Sequence, residues 1–143
     1  MIREIKFRAW DKKRGKLLTV FSMAFDVNTH SVDTVWCAEL MDEVADGFDI
    51  NDVELMQFTG LTDKQGKEIY EGDILRMTRR KRRGRGCSEE VVTYCCEVKF
   101  FAAAFRVESL PPTPKWSMPL SIEFDDPEVI GNIYQNPDLI PHS

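Results

Sequence analysis

The sequence predicts a mainly β fold, a roll or barrel of roughly eight or nine short antiparallel strands with at most one or two short helices. Three observations carry this. Several stretches alternate apolar and polar residues with a period of two. Turn-forming clusters separate those stretches at intervals of about 8–15 residues. Neither a glycine-rich phosphate loop nor the strand–helix alternation of a nucleotide-binding α/β fold is present. At 143 residues and 43% apolar, the chain has the size of one domain and enough apolar surface to bury a core. No apolar run approaches the roughly 18–20 residues of a membrane span. The opening Met1 to Lys6 lacks the apolar stretch of a signal peptide, so the expected address is a reducing cytoplasm, with no membrane partner.

The elements follow in order. Ile5, Phe7 and Ala9 alternate with Lys6, Arg8 and Trp10, the pattern of a half-buried strand, and Asp11 to Gly15 reads as a turn. Lys16 to Val27 is extended and rich in β-branched and aromatic residues, Asn28 to Ser31 turns, and Val32 to Trp36 returns. Leu40, Met41 and Val44, between Cys37 and Ala45, suit a short helix ending near Asp46 and Gly47. Val53 to Phe58 is a strand, and Asp63-Lys64-Gln65-Gly66 is a turn whose glycine takes positive φ. Glu68 to Tyr70 follows as a strand. After a bend at Glu71-Gly72-Asp73, Ile74 and Leu75 open another strand. Glu90 to Phe101 alternates over its length, and Ala104 to Val107 continues the sheet. Leu110 to Pro114 reads as an exposed linker with polyproline character. Leu120 to Phe124 and Val129 to Ile133 supply the last strands, closed off by Asn136 and Pro137.

Candidates for chemistry are few. Cys37, Cys87, Cys95 and Cys96 form no C-x-x-C pair, and neither His30 nor His142 stands at ligand spacing from them. Cys95 and Cys96 fall in a strand, where they point to opposite faces as small hydrophobes. Glu68, Glu71 and Asp73 are a candidate carboxylate cluster for acid–base work or Mg²⁺, although turn capping and solvated faces account for the same residues more simply. Trp10, Phe58, Tyr70 and Tyr134 are candidate base-stacking aromatics, with core packing as the plainer reading. No catalytic, metal-binding or cofactor-binding residue is assigned.

Three separated segments form a set: Arg3 to Asp11, Met56 to Ile74, and Val129 to Pro137. In this order they resemble the YopX family of phage and prophage proteins, over residues 3 to about 140. The resemblance implies a single domain with an SH3-like β-roll over residues 53–143 and an antiparallel strand extension over residues 1–52. It also implies a phage or prophage origin, a bacterial host cytoplasm and assembly with copies of itself. The family has no assigned activity, so the implied function is a non-enzymatic, self-assembling interaction module that engages a phage or host protein.

Two opposed charge blocks stand outside that pattern. Seven basic residues and no acid lie between 76 and 86: Arg76, Arg79, Arg80, Lys81, Arg82, Arg83 and Arg85. Seven acids and no base lie between 39 and 54: Glu39, Asp42, Glu43, Asp46, Asp49, Asp52 and Glu54. The basic block contains Gly84 and Gly86 and lies between two strands, which predicts a mobile hairpin loop dense in positive charge. Such a loop suits phosphate, and nucleic-acid binding is the alternative function. Against it stand a merely solvated face and a pairing of the loop with the acidic block. The acidic block does not follow the order of a calcium loop. The net charge of −5 hides both blocks because they cancel.

Overall fold

The computed structural model describes residues 3–39, 44–82, 84–86, 88–121 and 126–140, with residues 81 and 82 as backbone only. The fold is mainly β, as expected, with two short 3-10 helices at Ile50–Asp52 and Pro137–Leu139. The chain divides into two compact units, residues 1–58 and 59–143. Among the described residues no helix is long and apolar enough to cross a membrane.

The first unit is an antiparallel meander of β1 (Phe7–Asp11), β2 (Lys16–Phe25), β3 (Val32–Ala38), β4 (Asp46–Asp49) and the start of β5 (Val53–Thr62). Their order in the sheet is β4-β3-β2-β1-β5, with β1 inserted beside β5 in the register Ala9 opposite Leu55. Ala9, Leu18, Val35, Cys37 and Val53 are buried together on one face. The turn after β1 is held by the buried Asp11, whose Oδ1 accepts from the backbone N–H groups of Lys13 at 3.0 Å and Arg14 at 3.2 Å. This is the side-chain capping that makes aspartate a turn residue. Of the segment between Cys37 and Ala45, where a helix is expected, the flanks are described. Cys37 belongs to β3, and Asp46 and Gly47 belong to β4, paired with Cys37 and Trp36. Residues 40–43, which include the expected Leu40 and Met41, lie outside the described residues.

The second unit contains the end of β5, then β6 (Glu68–Tyr70), β7 (Asp73–Arg82), β8 (Glu89–Phe101), β9 (Ala104–Ser109), β10 (Ser117–Pro119) and β11 (Glu128–Asn132). Its sheet runs β10-β9-β8-β7-β11, all antiparallel, and does not close on itself. Ile69, Leu75, Met77, Cys96, Val98 and Val107 form the buried core. Cys96 is fully buried and Cys95 only partly so, the split that strand alternation predicts. The turn at Asp63 to Gly66 forms as read, with Gly66 at φ +82°. Leu110, expected in an exposed linker, is buried at the end of β9 instead, its N–H donating to the Cys95 carbonyl at 2.9 Å. β10 lies at Ser117–Pro119 and the last strand, β11, at Glu128–Asn132, while residues 122–125 of the strand expected at Leu120 to Phe124 lie outside the described residues.

Candidate nucleic-acid interface

From Arg76 to Arg82 the basic segment is a strand, where its charge density predicts a loop, and Gly84 to Gly86 form the turn. β7 runs from Asp73 through Arg82, so Arg76, Arg79, Arg80, Lys81 and Arg82 all belong to one arm of a long hairpin with β8. The register explains this. Leu75 and Met77 anchor the strand in the core opposite Cys96 and Tyr94, and pairing continues unbroken to Arg82 opposite Glu89. Once an antiparallel ladder is nucleated by a buried start, each further residue adds backbone hydrogen bonds, and charge density does not stop it.

Strand geometry then divides the arginines. Leu75, Met77 and Arg79 occupy alternate positions and therefore share one face of β7, while Arg76 and Arg80 fall on the other. Arg76 is exposed and stands 3.6 Å from Glu128, a surface pair of little energetic weight. Arg80 is exposed. Arg79 is partly buried. The backbones of Lys81 and Arg82 are in register opposite Glu90 and Glu89. Arg83 lies outside the described residues, and Arg85 is exposed in the turn between β7 and β8.

Where the core face of β7 and β8 runs on past Met77 and Tyr94, a groove of about 310 Å³ opens. It is lined by Arg79, Val92, Thr93, Tyr94, Thr113, Trp116 and Met118. Tyr94 and Trp116 meet edge to face, their centroids 5.3 Å apart and their planes at 80°. Trp116 comes from the connection between β9 and β10, and buried Ser109 holds it in place. The Ser109 hydroxyl accepts from the Trp116 N–H at 2.9 Å and donates to the Pro114 carbonyl at 2.9 Å, while the Ser109 N–H donates to the Trp116 carbonyl at 3.0 Å.

The other candidates take structural roles. The Asp73 carboxylate is buried and accepts from the Tyr70 N–H at 2.8 Å, and Glu68 accepts from the Tyr70 hydroxyl at 3.1 Å. Among the described residues, no three or more His, Cys, Asp or Glu side chains are grouped so that they could hold a metal ion. Phe58 is buried beneath the Lys6 ammonium, which lies 4.8 Å from its ring centre. In the acidic block, Glu39 pairs with Lys16 at 2.9 Å, Glu54 with Lys12 at 3.2 Å, and Asp49 caps Asn51 at 2.8 Å. Asp42 and Glu43 lie outside the described residues. Cys37 is not a reactive thiol: burial, then the nearby Asp11 and Asp46 charges, push it up to about 11. Sequence reasoning passed over Tyr94 and Trp116 as a pair. Twenty-two positions apart, they meet only because β8, β9 and β10 are adjacent.

A family model described as YopX protein matches residues 6–141. Two solved structures share the fold: protein EF1440 from Enterococcus faecalis and protein yopX from Bacillus subtilis. The first is 24% identical with a TM-score of 0.58, covering 98% of this chain and 100% of that one. The second is 22% identical with a TM-score of 0.57, covering 99% of each. No curated protein matches the sequence.

Proposed function

The chain belongs to the YopX family, and within that family we propose that it acts as a non-enzymatic binding module for nucleic acid, using the basic strand β7 as its contact surface. The observation that supports this is a run of basic residues held on a strand, with Arg76 and Arg80 exposed on one face and Arg85 exposed at the hairpin turn. Because their backbone is already ordered, these guanidinium groups contact phosphate without the further cost of ordering a loop. The scaffold for this role is an SH3-like roll. Its setting is the cytoplasm of a bacterial cell carrying phage or prophage genes. The test is a titration of labelled DNA or RNA against the wild type and against a variant with Arg79, Arg80, Arg82 and Arg83 changed to Ser. Binding should weaken steeply with salt and be lost in the variant; absence of binding to both DNA and RNA at low salt would sink the reading.

A second reading, self-assembly, is favoured by the β2–β3 hairpin. Phe21, Phe25, Val27 and Trp36 are 45%, 61%, 83% and 44% exposed there. Phe21 is the extra residue of a bulge between the pairs Val20–Cys37 and Ser22–Trp36, a device that re-aims a side chain away from its expected face. Light scattering should report a defined oligomer at micromolar concentration, and Phe25→Ser should shift it toward monomer. A strictly monomeric wild type removes this reading.

A further inference from the structure

We propose that the groove lined by Arg79, Tyr94 and Trp116 is a stacking site for one unpaired base, so that the nucleic acid bound along β7 is single-stranded. The proposal rests on the nucleic-acid reading above and specifies its substrate class.

The argument begins with the hairpin. On the inward face of β7 and β8 the sequence continues the core through Leu75, Met77, Cys96 and Tyr94, then changes character at the next inward position of β7. Where a third apolar residue would extend the core, there is Arg79, opposite Val92. The sheet is thus longer than the layer that covers it, and the uncovered part is a concave surface with apolar walls and one cationic side chain. About 310 Å³ lies at the small end of the roughly 300–1,000 Å³ typical of ligand sites, which suits a single planar heterocycle. Tyr94 and Trp116 meet edge to face, so neither ring is covered by a parallel stack from the other, and a base has an aromatic surface to lie against. Thr113 lines the same space and carries a hydroxyl, a group suited to a base edge.

The charge selects the occupant. An uncharged aromatic ligand gains nothing from an arginine-rich strand, whereas a base is linked to phosphates on both sides. With the base in the groove, Arg79 lies at its edge, within the groove lining, while the exposed Arg80 projects from the other face of β7. A duplex keeps its bases stacked inside and cannot supply the ring, so the groove distinguishes single strands from double. A free mononucleotide shares the chemistry of base and phosphate, but lacks the further phosphates that the rest of the strand would contact.

The experiment uses the full chain and three probes: a labelled single-stranded dodecamer of thymidine, the same strand annealed to its complement, and thymidine monophosphate. The single strand should bind tighter than the duplex and far tighter than the mononucleotide. Trp116→Leu should weaken single-strand binding by roughly 5- to 150-fold and leave the weaker duplex binding unchanged, with Trp116→Phe restoring most of the loss. Because Trp116 also packs against the core, the wild-type protein supplies a second measurement. Photocrosslinking to a bromouracil-substituted strand should attach to Tyr94 or Trp116. If the duplex binds as tightly as the single strand, or Trp116→Leu binds as the wild type does while the four-arginine variant does not, the stacking site is wrong and the phosphate-binding strand stands. Crosslinks confined to residues outside the groove, or tight binding of the mononucleotide alone, overturn the proposal equally. No binding to any probe overturns both readings.

Discussion

Asp63 shows how much of the second unit hangs on one side chain. It is nearly buried, and its carboxylate accepts three backbone N–H bonds: Gln65 at 2.9 Å and Lys67 at 2.8 Å on one oxygen, Val129 at 3.0 Å on the other. Burial pulls its pKa upward, but the bonds from Val129, Lys67 and Gln65 outweigh it and hold the carboxyl below its ordinary value. A depressed folded pKa means that this stabilisation is complete above the unfolded value of about 4 and is lost as pH falls through the folded value. Thermal melts should therefore show wild-type stability falling below about pH 4. Asp63→Asn, whose amide offers one acceptor oxygen instead of two, should cost about 1–3 kcal/mol at neutral pH and flatten that acid dependence. Gly131 is a second single-residue constraint, of a different kind. A Cβ there would lie 2.5 Å from Asn136 Oδ1 and 2.9 Å from Leu139 Cδ1. Asn136 Oδ1 also accepts from the Asn132 N–H at 3.2 Å, so the obstacle has a role to lose. Gly131→Ala should destabilise by about 1–3 kcal/mol in denaturant titration. Both residues fall in segments whose turn chemistry was legible in the sequence, because side-chain capping acts over two to four positions. The bond from Asp63 to Val129 was not legible, since it joins residues 66 apart.

At the scale of elements, the hairpin of β7 and β8 separates what local pattern can say from what pairing decides. The alternation from Glu90 to Phe101 was sufficient to place β8, which runs from Glu89 to Phe101. The same period failed for β7, because arginines occupy both faces past Met77 and charge then reads as loop. The strand is imposed by its partner, which supplies a continuous row of backbone donors and acceptors as far as Glu89. The connection from β9 to β10 is decided in a similar way. Its prolines suggest an exposed linker, yet Ser109 gathers Pro114 and Trp116 around one buried hydroxyl. Ser109→Ala leaves the Trp116 N–H and the Pro114 carbonyl without that partner. The variant should lose about 1–3 kcal/mol of stability, and its tryptophan emission should shift to longer wavelength as Trp116 loosens toward solvent.

For the molecule as a whole, charge and organisation pull against the average. A net charge of −5 suggests indifference to polyanions, but seven of the positive charges lie within eleven consecutive positions. The acids that stood as their alternative partner are engaged locally in part, Glu39 with Lys16 and Glu54 with Lys12. If the arginine strand contacts phosphates, log affinity for a single strand should fall linearly with log salt, and the slope should shrink by about 0.7 for each contacting arginine replaced. A salt titration of Arg80→Gln beside the wild type measures this directly; an unchanged slope would place Arg80 off the binding surface. Each unit has its own buried cluster, one around Val35 and Cys37 and the other around Leu75, Met77 and Val107. By itself the sequence determined the β class, most strand positions, the turns at Asp11 and Asp63, and the family, because these depend on period-two alternation, side-chain capping and blocks of contiguous residues. Only the tertiary structure decided that Arg76 to Arg82 lie on a strand, that Asp46 and Gly47 pair with β3, and that Arg79, Tyr94 and Trp116 share a groove. Those outcomes depend on which strands lie side by side and in what register, and register is set by burying residues far apart in the chain.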